Sequence, residues 1–171
     1  DPIAKMLKEQ PRPAAAVPPP ATTAPATGDR PAGPLPPAAA TAAGNPRQLY
    51  EVAYAFLLQQ DYAGAEASFL EFLARYPSDA LAGSAAYWLG EAYFVRGMYQ
   101  QAARSFLKGY QTYKASPKAP DSLLKLAMSL DHLGQRGDAC ATYAELAQKF
   151  PQAPQNVKNR AQTERSRLGC T

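Results

Sequence analysis

Tyr87-Trp88-Leu89-Gly90-Glu91-Ala92-Tyr93, followed by Gly97-Met98-Tyr99, Ala102-Ala103 and Phe106, is the stretch whose reading decides the fold. At 3.6 residues per turn it reads as a helix, a tight turn and a second helix. It holds the only Trp of the chain, and a copy of it lies on each side. Leu49, Val52, Ala53, Phe56, Ala65 and Phe69 become Ala86, Leu89, Gly90, Tyr93, Ala102 and Phe106 after a shift of 37 residues. A second shift gives Leu123, Leu126, Ala127, Leu130, Ala139 and Tyr143. Pro77 lands on Pro151 after two shifts, whereas the middle copy has Lys114 there and delays its proline to Pro117. Three copies in register mean an all-α array of stacked helix pairs, because one such pair cannot bury its apolar face alone.

Each repeated position has a physical reason. The small residue at Ala53, Gly90 and Ala127 lets the two helices of a pair approach closely. Ala65, Ala102 and Ala139 face it from the second helix, and Phe69, Phe106 and Tyr143 fill the gap between pairs. This order of large, small, aromatic, then Ala, aromatic and Pro resembles the tetratricopeptide pattern, whose usual period is about 34 residues. The expectation is a right-handed tetratricopeptide solenoid with repeats at about 46–79, 83–116 and 120–153, and three extra residues in each inter-repeat turn. A seventh helix is predicted at about 154–168, with Val157, Ala161 and Leu168 as a thin apolar stripe that closes the stack.

Upstream the composition differs: 12 of the 17 prolines lie in residues 1–46. Residues 1–45 read as a disordered Pro/Ala-rich linker with too little apolar bulk to offset ordering entropy. A semi-rigid spacer is favoured there over a ligand for a proline-reading domain. Ile3, Met6 and Leu7 are spaced as the end of a helix or coiled coil over residues 1–10. The tetratricopeptide domain is placed at 46–171, with Asn45 as N-cap and Pro46 as first helical residue.

The net charge of +4 does not point to nucleic acid. Residues 46–156 hold 10 basic and 10 acidic side chains, and the excess sits on the last helix, in Lys158, Arg160, Arg165 and Arg167 against Glu164. A nucleic-acid binder would carry a basic face across the folded body. No apolar run approaches the roughly 20 residues that span a bilayer, so no direct membrane insertion is expected. His132 is the only histidine and has no thiol pair beside it, so no metal and no cofactor are expected. Cys140 and His132 fall on different helices and do not make a nucleophile pair. The chain reads as not an enzyme.

Two further runs, Ser84-Ala85-Ala86-Tyr87-Trp88-Leu89-Gly90-Glu91 and Lys118-Ala119-Pro120-Asp121-Ser122-Leu123-Leu124-Lys125-Leu126, resemble the C-terminal domain of the YbgF/CpoB family of Tol-Pal-associated proteins. The Pro/Ala-rich segment before the repeats fits that family too. The resemblance implies a Gram-negative periplasmic adaptor that binds TolA and a bifunctional peptidoglycan synthase. It implies coordination of septal wall synthesis with outer-membrane constriction at division. A homotrimer is implied only if an N-terminal coiled coil lies upstream. The rival readings are a generic peptide-binding co-chaperone module, which would need several groove cations, and an envelope-assembly scaffold.

In such a solenoid the first helix of each pair lines the concave face. The positions that packing does not dictate are Tyr50, Tyr54 and Leu57, then Tyr87, Glu91 and Phe94, then Leu124, Met128 and Asp131. Aromatic and Met side chains suit a peptide groove, although several of the nine can equally pack between repeats. Trp88, one step round from Tyr87, is assigned to packing before groove. The seventh helix should run antiparallel to the helix carrying Cys140, which brings Cys170 within one or two turns of it. A disulfide between them is one expectation, and a buried Cys140 with a free thiol on a frayed tail is the other.

Overall fold

The computed structural model describes residues 44–171, and the linker and the possible helix end expected at its start lie outside the described residues. Seven helices follow: α1 (Pro46–Leu58), α2 (Tyr62–Arg75), α3 (Ala82–Val95), α4 (Tyr99–Gln111), α5 (Ala119–His132), α6 (Arg136–Lys149) and α7 (Gln155–Leu168). Among the described residues there is no strand. Helix boundaries recur at the 37-residue shift to within one residue. Each helix packs on the next along the chain, and α1, α3, α5 and α7 also touch in a row. The described fold is a tetratricopeptide solenoid of three helix pairs and a closing helix.

Local chemistry sets the ends. The Asn45 side chain accepts from Arg47 N at 2.9 Å with Pro46 behind it, and Asp61 caps α2 by accepting from Gly64 N at 2.9 Å. The turn inside each pair passes through one left-handed residue, at Gln60, Gly97 and Gly134 with φ of 60°, 72° and 76°. These three are one position, 37 residues apart.

Between pairs the chain makes two successive three-residue turns. Asp79 N donates to Tyr76 O at 3.2 Å and Ala82 N to Asp79 O at 3.0 Å. The next copy repeats this, with Ser116 N to Tyr113 O at 2.9 Å and Ala119 N to Ser116 O at 3.0 Å. The second turn accommodates the three residues by which the period exceeds 34. Lys114 stands where Pro77 and Pro151 stand and the hydrogen bonds are the same, so proline is not required to end the helix. Tyr113 ties the two turns together, its hydroxyl donating to Pro77 O at 3.0 Å.

The core follows the repeat. Ala53, Ala65, Phe69, Ala102, Phe106, Ala127 and Ala139 have no exposed surface. Gly90 is a tight point of this packing, because a Cβ there would lie 2.5 Å from the Phe106 ring. Phe106 therefore sits where a methyl group at position 90 would be.

At the far end α7 keeps the register of a fourth first helix but changes its chemistry. Arg160, Thr163, Glu164 and Arg167 occupy the positions of Leu49, Val52, Ala53 and Phe56. Glu164, 7% exposed, is held by Arg160 and Arg167, each at 2.8 Å, and Arg167 also reaches Asp131. A charge this buried persists only when paired. Val157, Ala161 and Leu168 form the expected apolar stripe. Gly169, left-handed at φ 64°, turns the tail back, Arg136 donates to the Leu168 carbonyl, and Cys170 is disulfide-bonded to Cys140 with a Cα–Cα distance of 5.5 Å. Of the two expectations for the cysteines, the bridge is the one realised.

Candidate functional site

The row α1–α3–α5 carries the nine positions expected to line the concave face. All nine are half-buried or buried, and they divide into an aromatic part and an ion-paired part. In the aromatic part the Tyr50 and Tyr54 rings lie parallel one helical turn apart, with centroids at 6.5 Å. Tyr54 meets Trp88 edge-on at 5.1 Å, and Trp88 meets Tyr87 edge-on at 4.9 Å. These offsets are the ones aromatic quadrupoles favour. Tyr50 also packs inward against Phe69 and Phe72, and burial raises its pKa despite hydrogen bonds from Trp88 and Ser84. Tyr87 is 7% exposed, rests on Phe106 at 5.8 Å, and has its pKa raised by burial and then by the charges of Glu91 and Asp121.

Lys118 was not among the nine. Its ammonium lies 4.8 Å from the Tyr87 ring centre and 5.4 Å from that of Trp88, and 3.4 Å from Asp121. A cation over aromatic faces in a partly dehydrated setting contributes on the order of 0.5–2 kcal/mol. Trp88 is half-buried and joins α1 to α3, so it packs between repeats and still presents an edge beside Tyr54.

In the ion-paired part Glu91 meets Lys125 at 2.8 Å, and Lys125 lies 4.6 Å from the Phe94 ring centre. Phe94 meets Tyr99 and His132 edge-on, and Tyr99 and His132 stack in parallel at 4.1 Å. Asp131 is engaged by Arg167 of the closing helix. Leu57 and Met128 are half-buried, and Leu124 is 7% exposed.

Two consequences follow. The charged groups Glu91, Asp121 and Asp131 each have a cation partner of the same chain, so this surface offers little net charge to a ligand. Tyr54 and Trp88 are less buried than Tyr87, so they are the aromatic edges open to solvent. Among the described residues no three His, Cys, Asp or Glu are grouped to hold a metal ion, and no helix is long and apolar enough to cross a membrane.

Lys118 escaped the sequence reading because its role comes from a neighbouring repeat, whereas Lys125, read with Arg47 as a groove-side cation, is paired with Glu91. A third shift of 37 residues would have found two more positions: Ala161 and Arg165 of α7 stand in register with Leu124 and Met128.

The tetratricopeptide-repeat family model matches residues 49–79 and 121–153, the first and third copies. Two curated proteins of Pseudomonas putida, one of them from strain KT2440 and both named "Cell division coordinator CpoB", are each 39% identical over 51 residues. That stretch is 30% of this chain and 19% of theirs. The chain has the tetratricopeptide fold and is similar to CpoB over that stretch.

Proposed function

We propose that the chain is a non-enzymatic periplasmic adaptor whose α1–α3–α5 face holds a segment of a protein partner. The observation that carries this is the half-exposed aromatic pair Tyr54 and Trp88, edge-on across two repeats and flanked by charges already paired within the chain. Such a surface gains from burying an apolar, extended or helical segment and has no dedicated chemistry of its own. The similarity to a cell division coordinator supports a place in division. The resemblance to the Tol-Pal-associated family supports TolA and a bifunctional peptidoglycan synthase as the partners, with wall synthesis coordinated to outer-membrane constriction. The bounds 1–45 for a linker and 46–171 for the repeat domain belong to the same proposal. A co-chaperone module would need free groove cations, whereas Lys118 and Lys125 are engaged with Asp121 and Glu91.

The test is binding of purified TolA by the full chain and by a Tyr54→Ala, Trp88→Ala double variant with unchanged helical circular dichroism. Affinity should fall about tenfold or more, as expected when interface aromatics are truncated. Unchanged affinity in the folded variant moves the site off this face. No binding of TolA or of a wall synthase by the unaltered chain removes the partner assignment.

A further inference from the structure

The two junctions between repeats are built alike but close differently. At the first, Gly83 of α3 admits the turn that follows α4: a Cβ at Gly83 would lie 2.4 Å from Ser116 Cβ and 2.9 Å from Tyr113 Cβ. The Tyr113 hydroxyl then ties that turn to Pro77 O at 3.0 Å. At the second junction, 37 residues on, Pro120 stands in place of Gly83, Phe150 in place of Tyr113 and Ala153 in place of Ser116. A pyrrolidine ring cannot take up an approach that a single Cβ would already block, and phenylalanine has no hydroxyl to donate. A groove of about 380 Å³ lies here, walled by Pro117, Pro120, Phe150, Pro151 and Pro154, with the exposed Lys149 at its rim.

The charge around this groove has one sign. Residues 112–120 and 146–160 contain no Asp or Glu, and they carry Lys114, Lys118, Lys149, Lys158 and Arg160. Lys118 is paired with Asp121 and Arg160 with Glu164, and Lys158 has the Pro151 carbonyl at 3.5 Å. Lys114 and Lys149 are exposed and have no acidic partner among the described residues. Glu145, one turn before Lys149, accepts instead from the Tyr110 hydroxyl at 2.6 Å. The apolar walls are recessed between two turns, out of reach of a flat surface such as a bilayer. The apolar side chains that protrude, Leu58 at 70% and Val95 at 53% exposure, sit at the opposite ends of the helices. Proline rings and an aromatic face pack well on a further flat ring. The complement is therefore a planar ring carried on a narrow, negatively charged support.

We propose that this groove docks an aromatic side chain of a partner polypeptide, with acidic residues on either side of it that meet Lys114 and Lys149. Charge complementarity selects the flanks, and the proline and phenylalanine walls select the ring. The site lies on the edge formed by the inter-repeat turns. Neither the pair Tyr54 and Trp88 nor a free chain end takes part, so it stands apart from the α1–α3–α5 face.

The test uses the full 171-residue chain, isotopically labelled. The probe is the peptide acetyl-Gly-Glu-Asp-Tyr-Glu-Asp-Gly-amide, blocked at both ends. It should shift the backbone nuclear magnetic resonance signals of Phe150, Gln152 and Ala153 saturably. Alanine in place of the peptide tyrosine should weaken binding about tenfold or more, as truncation of an interface aromatic predicts. Asn and Gln in place of its four acids should weaken binding similarly and remove its salt dependence. Lys114→Glu combined with Lys149→Glu, both on exposed side chains, should also weaken binding about tenfold or more with thermal stability unchanged. The Tyr54→Ala, Trp88→Ala variant should bind the peptide as the unaltered chain does, which separates this outcome from that of the aromatic face. Absence of a saturable shift, equal affinity for the tyrosine and alanine peptides, or binding that survives the charge reversal overturns the proposal. Tighter binding of phosphatidylglycerol vesicles or of oligodeoxythymidine than of the peptide also overturns it, by assigning the basic edge to a lipid or a nucleic acid.

Discussion

At the scale of single residues, the turn inside each pair places Gln60 where the other copies have Gly97 and Gly134, all at positive φ. Left-handed backbone costs an L side chain roughly 1 kcal/mol that glycine does not lose. Gln60→Gly should therefore raise stability by about 0.5–1 kcal/mol in urea unfolding, while Gly134→Ala should lower it by a similar amount. Gly90 has a different constraint, because its Cβ would meet a buried ring. Gly90→Ala should cost about 1–3 kcal/mol by overpacking, in spite of alanine's better helix propensity. Tyr93 carries a pH dependence. Its hydroxyl donates to Glu66 at 3.0 Å, and burial, then that bond and the carboxylate charge, push its ionisation up to about 12. An unfolded tyrosine ionises near about 10, so this contribution is intact below pH about 10 and is lost as pH rises to about 12. In Tyr93→Phe, stability should fall less steeply across that interval, measured by urea unfolding at successive pH values.

At the scale of elements, α7 shows how a repeat helix is turned into an end. It keeps the apolar contacts that face inward and carries Arg160, Glu164 and Arg167 where the inner repeats have apolar residues, with Glu164 paired to both arginines. Val157, Ala161 and Leu168 are the only buried apolar residues of α7, and the bridge from Cys170 to Cys140 ties its end covalently to α6. Closing a loop of 30 residues contributes about 3.6 kcal/mol in the chain-entropy account. Replacing both cysteines by serine should therefore speed hydrogen exchange throughout α7 while α3 and α4 keep their protection. Equal loss of protection in all helices would show instead that the bridge supports the whole array. The helix α3 does two jobs along its length. Leu89, Gly90 and Tyr93 pack the array, whereas Trp88 and Glu91 face neighbours across repeats, and Tyr87 belongs to both sets.

At the scale of the described molecule, stability should be carried by nearest-neighbour interfaces. Phe69→Ala removes a ring with no exposed surface and should cost about 3–5 kcal/mol. The loss should open α1 and α2 to hydrogen exchange before α5 and α6, which a repeat array permits and a single globular core would not. The repeat explains what was legible beforehand. Helix number and the small-residue positions were readable because one pattern of apolar residues recurs in register, and each copy corrects the reading of the others. The nine candidate positions of the first helices were named in the same way, since Tyr54, Glu91 and Met128 share one position.

The sequence by itself determined the architecture: periodic apolar residues force helices, and their 37-residue recurrence forces those helices to stack. It narrowed the cysteines to two outcomes. Tertiary structure alone decided how the side chains of different repeats meet. Lys118 lies over Tyr87 and Trp88, Lys125 neutralises Glu91, and Arg167 crosses to Asp131. The physical reason is range. Backbone periodicity is a local property written within a few turns of helix, whereas pairing and open volume depend on distances between residues some 30 positions apart, which the folded stack sets.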